Sequence, residues 1–288
     1  MDVLQGRLFE DVDYMDVRRA DLHTHSRCSD GKLSPAELVK KVCDRGIRAL
    51  AVTDHDTIDA LAEAIAEGER LGVEIIPGVE LSATVDEQEV HLLGYCFDPE
   101  NSDLVAHLDE FRCRRQERSE QIVALLNKHG LALRVEDVLL HARDGVVGRP
   151  HIAQALVARG FVSSYEQAFA WYLKDHGPAF VPKPLFPVAD ALTMLHEAGG
   201  IGILAHPGSR TNGRMIRDLV RIGLDGLETV HPSHSVMLTR QFKDVARERG
   251  LIETGGSDYH GFRPREDENI SRYSIPYQRL ERMRRAAA

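Results

Sequence analysis

The sequence predicts an α/β protein built on a parallel sheet, closed or nearly closed into a barrel and interrupted by a helical segment. Three observations predict it. Short apolar or β-branched runs alternate with helical stretches at both ends of the chain, the pattern of strands joined by crossover helices. From about Asp103 to about Pro182 the helical pattern runs on with almost no strand signal. Polar clusters that carry histidine or acid sit just after the apolar runs, where a barrel of this kind gathers its chemistry.

The elements follow in order. Asp21-Leu22-His23 ends an opening strand, and Ser34-Pro35-Ala36-Glu37 reads as an N-cap, a proline at the first helical position and the glutamate of a capping box. That helix runs to Gly46, Arg48 to Thr53 is a buried strand, and Ala60 to Leu71 is a helix closed by Gly72. Val73 to Ile76 and Val90 to Phe97 are further strands. The middle segment holds helices over Leu104 to His129, Val135 to Ala142, Pro150 to Arg159 and Tyr165 to Leu173. Alternation then resumes: helix Val188 to Ala198 before strand Ile201 to Ala205, helix Met215 to Ile222 before Leu227 to Val230, and helix Thr239 to Arg249 before Leu251 to Thr254. The expected organisation is an N-terminal extension over 1–19, a barrel from 20–102 and 183–288, and a helical insert over 103–182.

Composition narrows the function classes. With 288 residues, 43% of them hydrophobic, the chain can bury a full core. Its 36 basic and 45 acidic residues give a net charge of −9, which argues against broad nucleic-acid or membrane binding. An anionic substrate therefore needs local positive charge. No apolar run approaches the roughly 20 residues that span a bilayer, and the first residues lack the apolar core of a secretion signal. A cytoplasmic protein without an obligate protein partner is the expectation. Cys28, Cys43, Cys96 and Cys113 are too far apart for a C-x-x-C pair and read as free thiols.

His23 and His25 are two apart at the end of a strand, so both rings leave on one side and can grip one cation. Further clusters follow at Thr53-Asp54-His55-Asp56, Pro77-Gly78-Val79-Glu80, Ala205-His206-Pro207-Gly208 and Ser257-Asp258-Tyr259-His260. His91 stands apart, because it lies near the start of its strand. Imidazoles and carboxylates without thiolate suit Mn, Fe or Zn, and a carboxylate such as Glu80 can bridge two cations.

These residues resemble the PHP (polymerase and histidinol phosphatase) domain family, through the H-x-H of His23 and His25, the T-D-H ending in His55, the P-G-V-E ending in Glu80 and the D-x-H of Asp258 and His260. The resemblance implies a distorted (β/α)7-type barrel with two or three divalent metals, most often Mn²⁺, with Fe²⁺ or Zn²⁺ as other choices. The family's metal ligands carry over onto His23, His25, Asp30, His55, Glu80, His91, His206, Asp258 and His260. With its helical insert and Gly148-Arg149-Pro150-His151, the chain is similar to the branch that removes the 3′-phosphate of 3′,5′-bisphosphonucleotides and trims short 5′-phosphorylated RNA from the 5′ end.

On this reading water activated at the metals attacks the 3′-phosphate in line, and Asp258 or His206 assists proton transfer. Arg149 and His151, at a helix start after a glycine, hold phosphoryl oxygens. Arg112, Arg115 and Arg118 recur every three residues on one helical face and select a 5′-phosphate, although the same spacing also describes a solvated stripe. Each weaker candidate has a plainer reading too. Asp30 belongs to a turn sequence, Asp54 and Asp56 suit helix caps, and His231 and His234 suit a polar loop or a place beside the substrate. Three other functions stay open: a histidinol-phosphate phosphatase, a C–N hydrolase that also opens with H-x-H, and a metal-stabilised interaction module without catalysis.

Overall fold

The computed structural model describes residues 18–288 apart from 87, 144, 185, 209 and 210; most of the expected N-terminal extension lies outside them. One sheet contains β1 (Arg19–Asp21), β2 (Ile47–Leu50), β3 (Glu74–Ile75) and β9 (Ile275–Pro276) in the order β3-β2-β1-β9. The other contains β4 (Gly78–Val85), β5 (Gln88–Tyr95), β6 (Ile201–Leu204), β7 (Gly226–Val230) and β8 (Ile252–Gly255) in that order. Strands β1, β2 and β3 pair in parallel, as do β6, β7 and β8, whereas β5 is antiparallel to both its neighbours. Neither sheet closes on itself. Past the strand ends, however, Thr24 bridges to Tyr259 and His55 to Glu80, so the two sheets are stitched into a distorted α/β barrel at one mouth.

Helices α1 (Pro35–Asp44), α2 (Leu61–Leu71), α7 (Val188–Glu197), α8 (Gly213–Arg221) and α9 (Val236–Arg249) supply the outer layer. Local signals account for several ends. Ser34 Oγ accepts from Glu37 N–H while the Glu37 carboxylate accepts from Ser34 N–H, so the capping box satisfies two donors that the first turn of α1 would otherwise leave orphaned. Gly72 ends α2 and Gly250 ends α9, both at φ +68, where a side chain would be strained.

The middle of the chain folds as α3 (Ser102–Lys128), α4 (Val135–Ala142), α5 (Arg149–Ala158) and α6 (Tyr165–Ala168), the last running into a π turn over Phe169–Leu173. The sequence read those last nine residues as one helix. α3 spans two cores. Leu104, Leu108 and Phe111 pack with barrel residues such as Val79, Leu92 and Leu192, whereas Ile122, Val123 and Leu126 pack with Val138, Ile152, Leu156 and Leu173. Arg112, Arg115 and Arg118 sit on the stretch between these two anchorages.

Two features were not anticipated. β4 was missed, because Gly78-Val79-Glu80-Leu81-Ser82 carries its polar residues inward toward the mouth and so lacks the apolar run that marks a strand. Near the chain end α10 (Glu266–Arg272) and β9 carry no clear pattern in the sequence, and the basic stretch Arg279 to Arg285, open to a helix end, a contact surface or disorder, is helix α11 (Arg279–Ala287). Leu280 and Met283 are fully buried, and Arg284 pairs with Glu74.

A candidate metal centre under a basic wall

The rings and carboxylates named from sequence do meet at one mouth. Glu80, on β4, is 1% exposed and forms the hub. Its Oε2 is 3.3 Å from His23 Nε2, 3.2 Å from His25 Nε2 and 3.2 Å from His55 Nδ1. Its Oε1 is 2.8 Å from His91 Nδ1 and 3.0 Å from His206 Nε2. Asp258 Oδ1 lies 3.3 Å from His25 Nε2 and 3.5 Å from His23 Nε2. Asp30 Oδ1 lies 3.3 Å from His260 Nε2. Gly256 permits this approach, since a Cβ there would stand 2.4 Å from the His23 backbone nitrogen.

His91 reaches the hub because β5 runs opposite to its neighbours. An antiparallel strand presents the residues near its start, not its end, to this mouth, and His91 pairs across with Ser82, two residues beyond Glu80. The turn that carries Asp30 is also explained. Asp54 accepts hydrogen bonds from Ser26 N–H, Ser26 Oγ and Ser29 Oγ, pinning that turn against the end of β2. Asp56 accepts from Ser82 N–H and binds Arg115. Neither acid caps a helix, contrary to the reading from spacing.

Four groups of side chains bring ligand atoms within 4.8 Å of one another: His25, Asp30, His55 and His260; His23, His231 and Asp258; His23, Glu80 and His206; and His55, Glu80 and His91. His23, His55 and Glu80 each belong to two groups, so cations held there would be neighbours. The residues fit divalent metals on a further count. His23 Nε2, both His25 ring nitrogens, His55 Nδ1 and His231 Nε2 are buried without a hydrogen-bond partner, a costly state that coordination would relieve. His55 is driven down to about 3 by burial against the pull of Glu80 and Asp30, which leaves it a neutral ring with free lone pairs. For Asp258, burial is outweighed by His260, His23 and its other partners, so its carboxyl is held well below the usual range. An acid that ionised makes a poor proton donor.

His206 and Asp258 both adopt positive φ, +26 and +49. Such strain in non-glycine residues persists only where surroundings hold it. For His206 the holder is Glu228, which sequence reasoning missed. Its buried carboxylate accepts from His206 N–H at 2.7 Å and lies 2.9 Å from His23 Nδ1. Glu228 sits inside the run Leu227-Glu228-Thr229-Val230, and only strand alternation hinted that it faces inward.

Beside the cluster lies a cleft lined by Asp30, His55, His91, Arg115, Arg118, Arg149, Pro150, Phe169 and Lys183, among others. Arg115 binds Asp56 and Ser82, and Lys183 pairs with Glu89 and reaches Ser82 at 3.3 Å. Arg118 is 7% exposed and donates to the Val181 carbonyl. Burial, with Arg149 and Arg115 nearby, lowers its guanidinium to about 10. Burial and Arg115 likewise lower Lys183. Crowded cations that depress one another are a ready seat for an anion. Lys183 went unread because a lysine between prolines in a connecting loop carries no pattern.

Other expected residues fall elsewhere. Arg112 is half-exposed and pairs with Asp59 outside the cleft lining. His151 is 3% exposed and outside the cleft lining, and its Nδ1 accepts from Gly148 N–H, so it caps its own helix. Arg149 lines the cleft, held by the Leu173 carbonyl and Asp175. His231 was read as a loop or substrate residue, but its Nε2 stands 3.4 Å from Asp258 among the ligand groups. His234 bonds the Thr229 carbonyl and packs against Phe242. All four cysteines are free, and burial, the largest influence, pushes the Cys28 thiol up to about 11, against a nucleophilic role. No helix among the described residues is long and apolar enough to cross a membrane.

Comparison with known proteins agrees with this geometry. The PHP domain model matches residues 21–179. A 3′,5′-nucleoside bisphosphate phosphatase from Chromobacterium violaceum is 35% identical, covering 83% of this chain and 86% of its own. A 5′-3′ exoribonuclease from Haemophilus influenzae is 36% identical over 85% of this chain and 90% of its own. A phosphoribosyl 1,2-cyclic phosphate 1,2-diphosphodiesterase from Eggerthella lenta is 33% identical, over 84% and 94%. Among solved structures, a Bifidobacterium adolescentis protein assigned as a metal-dependent phosphoesterase superposes with a TM-score of 0.86 at 27% identity, over 93% of this chain and 96% of its own. The chain belongs to the PHP domain family and is a metal-dependent phosphoesterase.

Proposed function

We propose that the protein removes the 3′-phosphate of 3′,5′-bisphosphonucleotides, yielding a 5′-nucleotide and phosphate. The observation that carries this reading is the adjacency of two unlike sites in one cleft: a ring of imidazoles and carboxylates fit for metals, and a basic wall of Arg115, Arg118, Arg149 and Lys183. A monoester needs only the first. A substrate with phosphates at both ends of a ribose uses both. The similarity to a phosphatase named for such nucleotides supports the same choice.

In this reading His23, His25, Asp30, His55, Glu80, His91, His206, His231, Asp258 and His260 hold two or three divalent ions; Mn²⁺ is first choice because the family resemblance implies it, and the nitrogen and oxygen donors also suit Fe²⁺ or Zn²⁺. Bound metals supply an acidified water and neutralise phosphoryl charge. Arg149 and its basic neighbours hold the second phosphate through forked, charge-assisted hydrogen bonds. His206, 30% exposed at the edge of the cluster, is one of the metal ligands, so the leaving 3′ oxygen takes its proton from solvent water. Residues 103–182 act as a lid that selects a 5′-phosphorylated substrate. Short 5′-phosphorylated RNA is a second substrate on this plan, supported by the similarity to an exoribonuclease.

The test is a panel of 3′,5′-bisphosphoadenosine, AMP, histidinol phosphate and a 5′-phosphorylated oligoribonucleotide with Mn²⁺ added. The bisphosphonucleotide should give the highest kcat/KM. Preference for histidinol phosphate, or equal rates on AMP, would overturn the assignment.

A further inference from the structure

We propose that Phe169 and Tyr165 form a stacking platform for the nucleobase of the substrate, an inference that rests on the nucleotide reading of the cleft. The cleft has two unlike kinds of lining. Arg115 and Lys183 are cations held by Ser82 and Glu89. Phe169 and Pro150 line the same cleft with apolar surface. A nucleotide divides in the same way, into charged phosphates and an uncharged planar base.

Phe169 opens the π turn, is half-buried, packs against the core of the middle helices and also lines the cleft. Tyr165 is 37% exposed, and its ring centroid lies 5.0 Å from that of Phe169, tilted by 39°. Phe169 lines the cleft together with Asp30 and Arg149, and Tyr165 joins it through their ring contact. Phe169 opens this π turn, and such turns collect at functional sites. Stacking is indifferent to base identity, because every base offers a π face. The platform therefore adds affinity for nucleotides in general and no preference among bases.

Calorimetry on the Mn²⁺-loaded protein tests this with AMP and ribose 5-phosphate, which share every group except the base. AMP should bind about tenfold tighter. Phe169→Ala and Tyr165→Ala should erase most of that advantage, and Phe169→Trp should keep it. Ribose 5-phosphate affinity, measured in each variant, reports whether the cleft is intact. Equal affinity of the two ligands for the unaltered protein, or an advantage that survives in both alanine variants, would overturn the platform. Phosphate release from 3′,5′-bisphosphoadenosine is scored separately. If release is absent while the AMP advantage persists, the phosphatase reading fails and the platform stands.

Discussion

The barrel mouth and the insert wall face the same cleft but are built on opposite terms. At the mouth, ring nitrogens are buried and left without hydrogen-bond partners, around a carboxylate that touches five imidazoles. In the wall, every cation already has a protein partner: Arg115 has Asp56, Lys183 has Glu89, Arg149 has Asp175 and Arg118 has the Val181 carbonyl. The first arrangement is incomplete without metal. The second is stable alone and only has to exchange partners when an anion arrives. On the proposed function the barrel mouth would supply chemistry common to many phosphate esters, and the basic wall, with Lys183 joining residues of 103–182, would supply the choice among them.

Removing the hub should break the comparison most severely. Glu80→Ala deletes the carboxylate shared by two ligand groups, and loss of a metal's charge stabilisation corresponds to about a thousandfold in kcat. Metal content by elemental analysis should fall together with activity; loss of activity with full metal content would show that Glu80 acts otherwise. Next comes Glu228→Ala, which frees His23 Nδ1 and the His206 backbone. Partners of this kind are worth about 10–100-fold in metal affinity, so the apparent dissociation constant for Mn²⁺ should rise by that range.

Changes in the wall should be smaller and should split by substrate. Lys183→Ala should raise KM for a bisphosphonucleotide about tenfold, the scale of one charge-assisted contact, and leave a simple aryl phosphate within about twofold. Equal losses on both substrates would erase the division of labour. Arg112→Ala should do least, because it breaks a half-exposed pair with Asp59, worth about 0–1 kcal/mol, and a long contact to the Thr57 hydroxyl.

Acidity sharpens the same contrast. Burial opposes charge on His260 and His91, but Asp30 and Asp258 raise the former to about 10 and Glu80 raises the latter to about 9. Without metal both rings carry protons at neutral pH, and metal must displace them. Apparent Mn²⁺ affinity should therefore climb from pH 6 to pH 9, and a flat profile would contradict this.

The mouth was more legible in the sequence than the wall, for a physical reason. Strands fix side-chain direction by alternation, so His23 and His25 declared a shared side; Glu80, read as following a strand, lies instead inside β4. What alternation concealed was an acid inside an apolar run, Glu228, and the reversed direction of β5, which brings the start of a strand to the mouth and His91 with it. The wall depends on rotamers and loop paths that no period encodes. Arg112, Arg115 and Arg118 share a helical face, yet one turns to Asp59 and two enter the cleft. His151 spends its ring on a cap, and Lys183 arrives from a loop.

The most direct test of this division is to count metals by anomalous diffraction from crystals grown with Mn²⁺ and AMP. The account predicts two or three ions among His23, His25, His55, Glu80 and Asp258, with the AMP phosphate on Arg115, Arg118, Arg149 or Lys183. Ions seated away from Glu80, or a phosphate that avoids the basic wall, would contradict it.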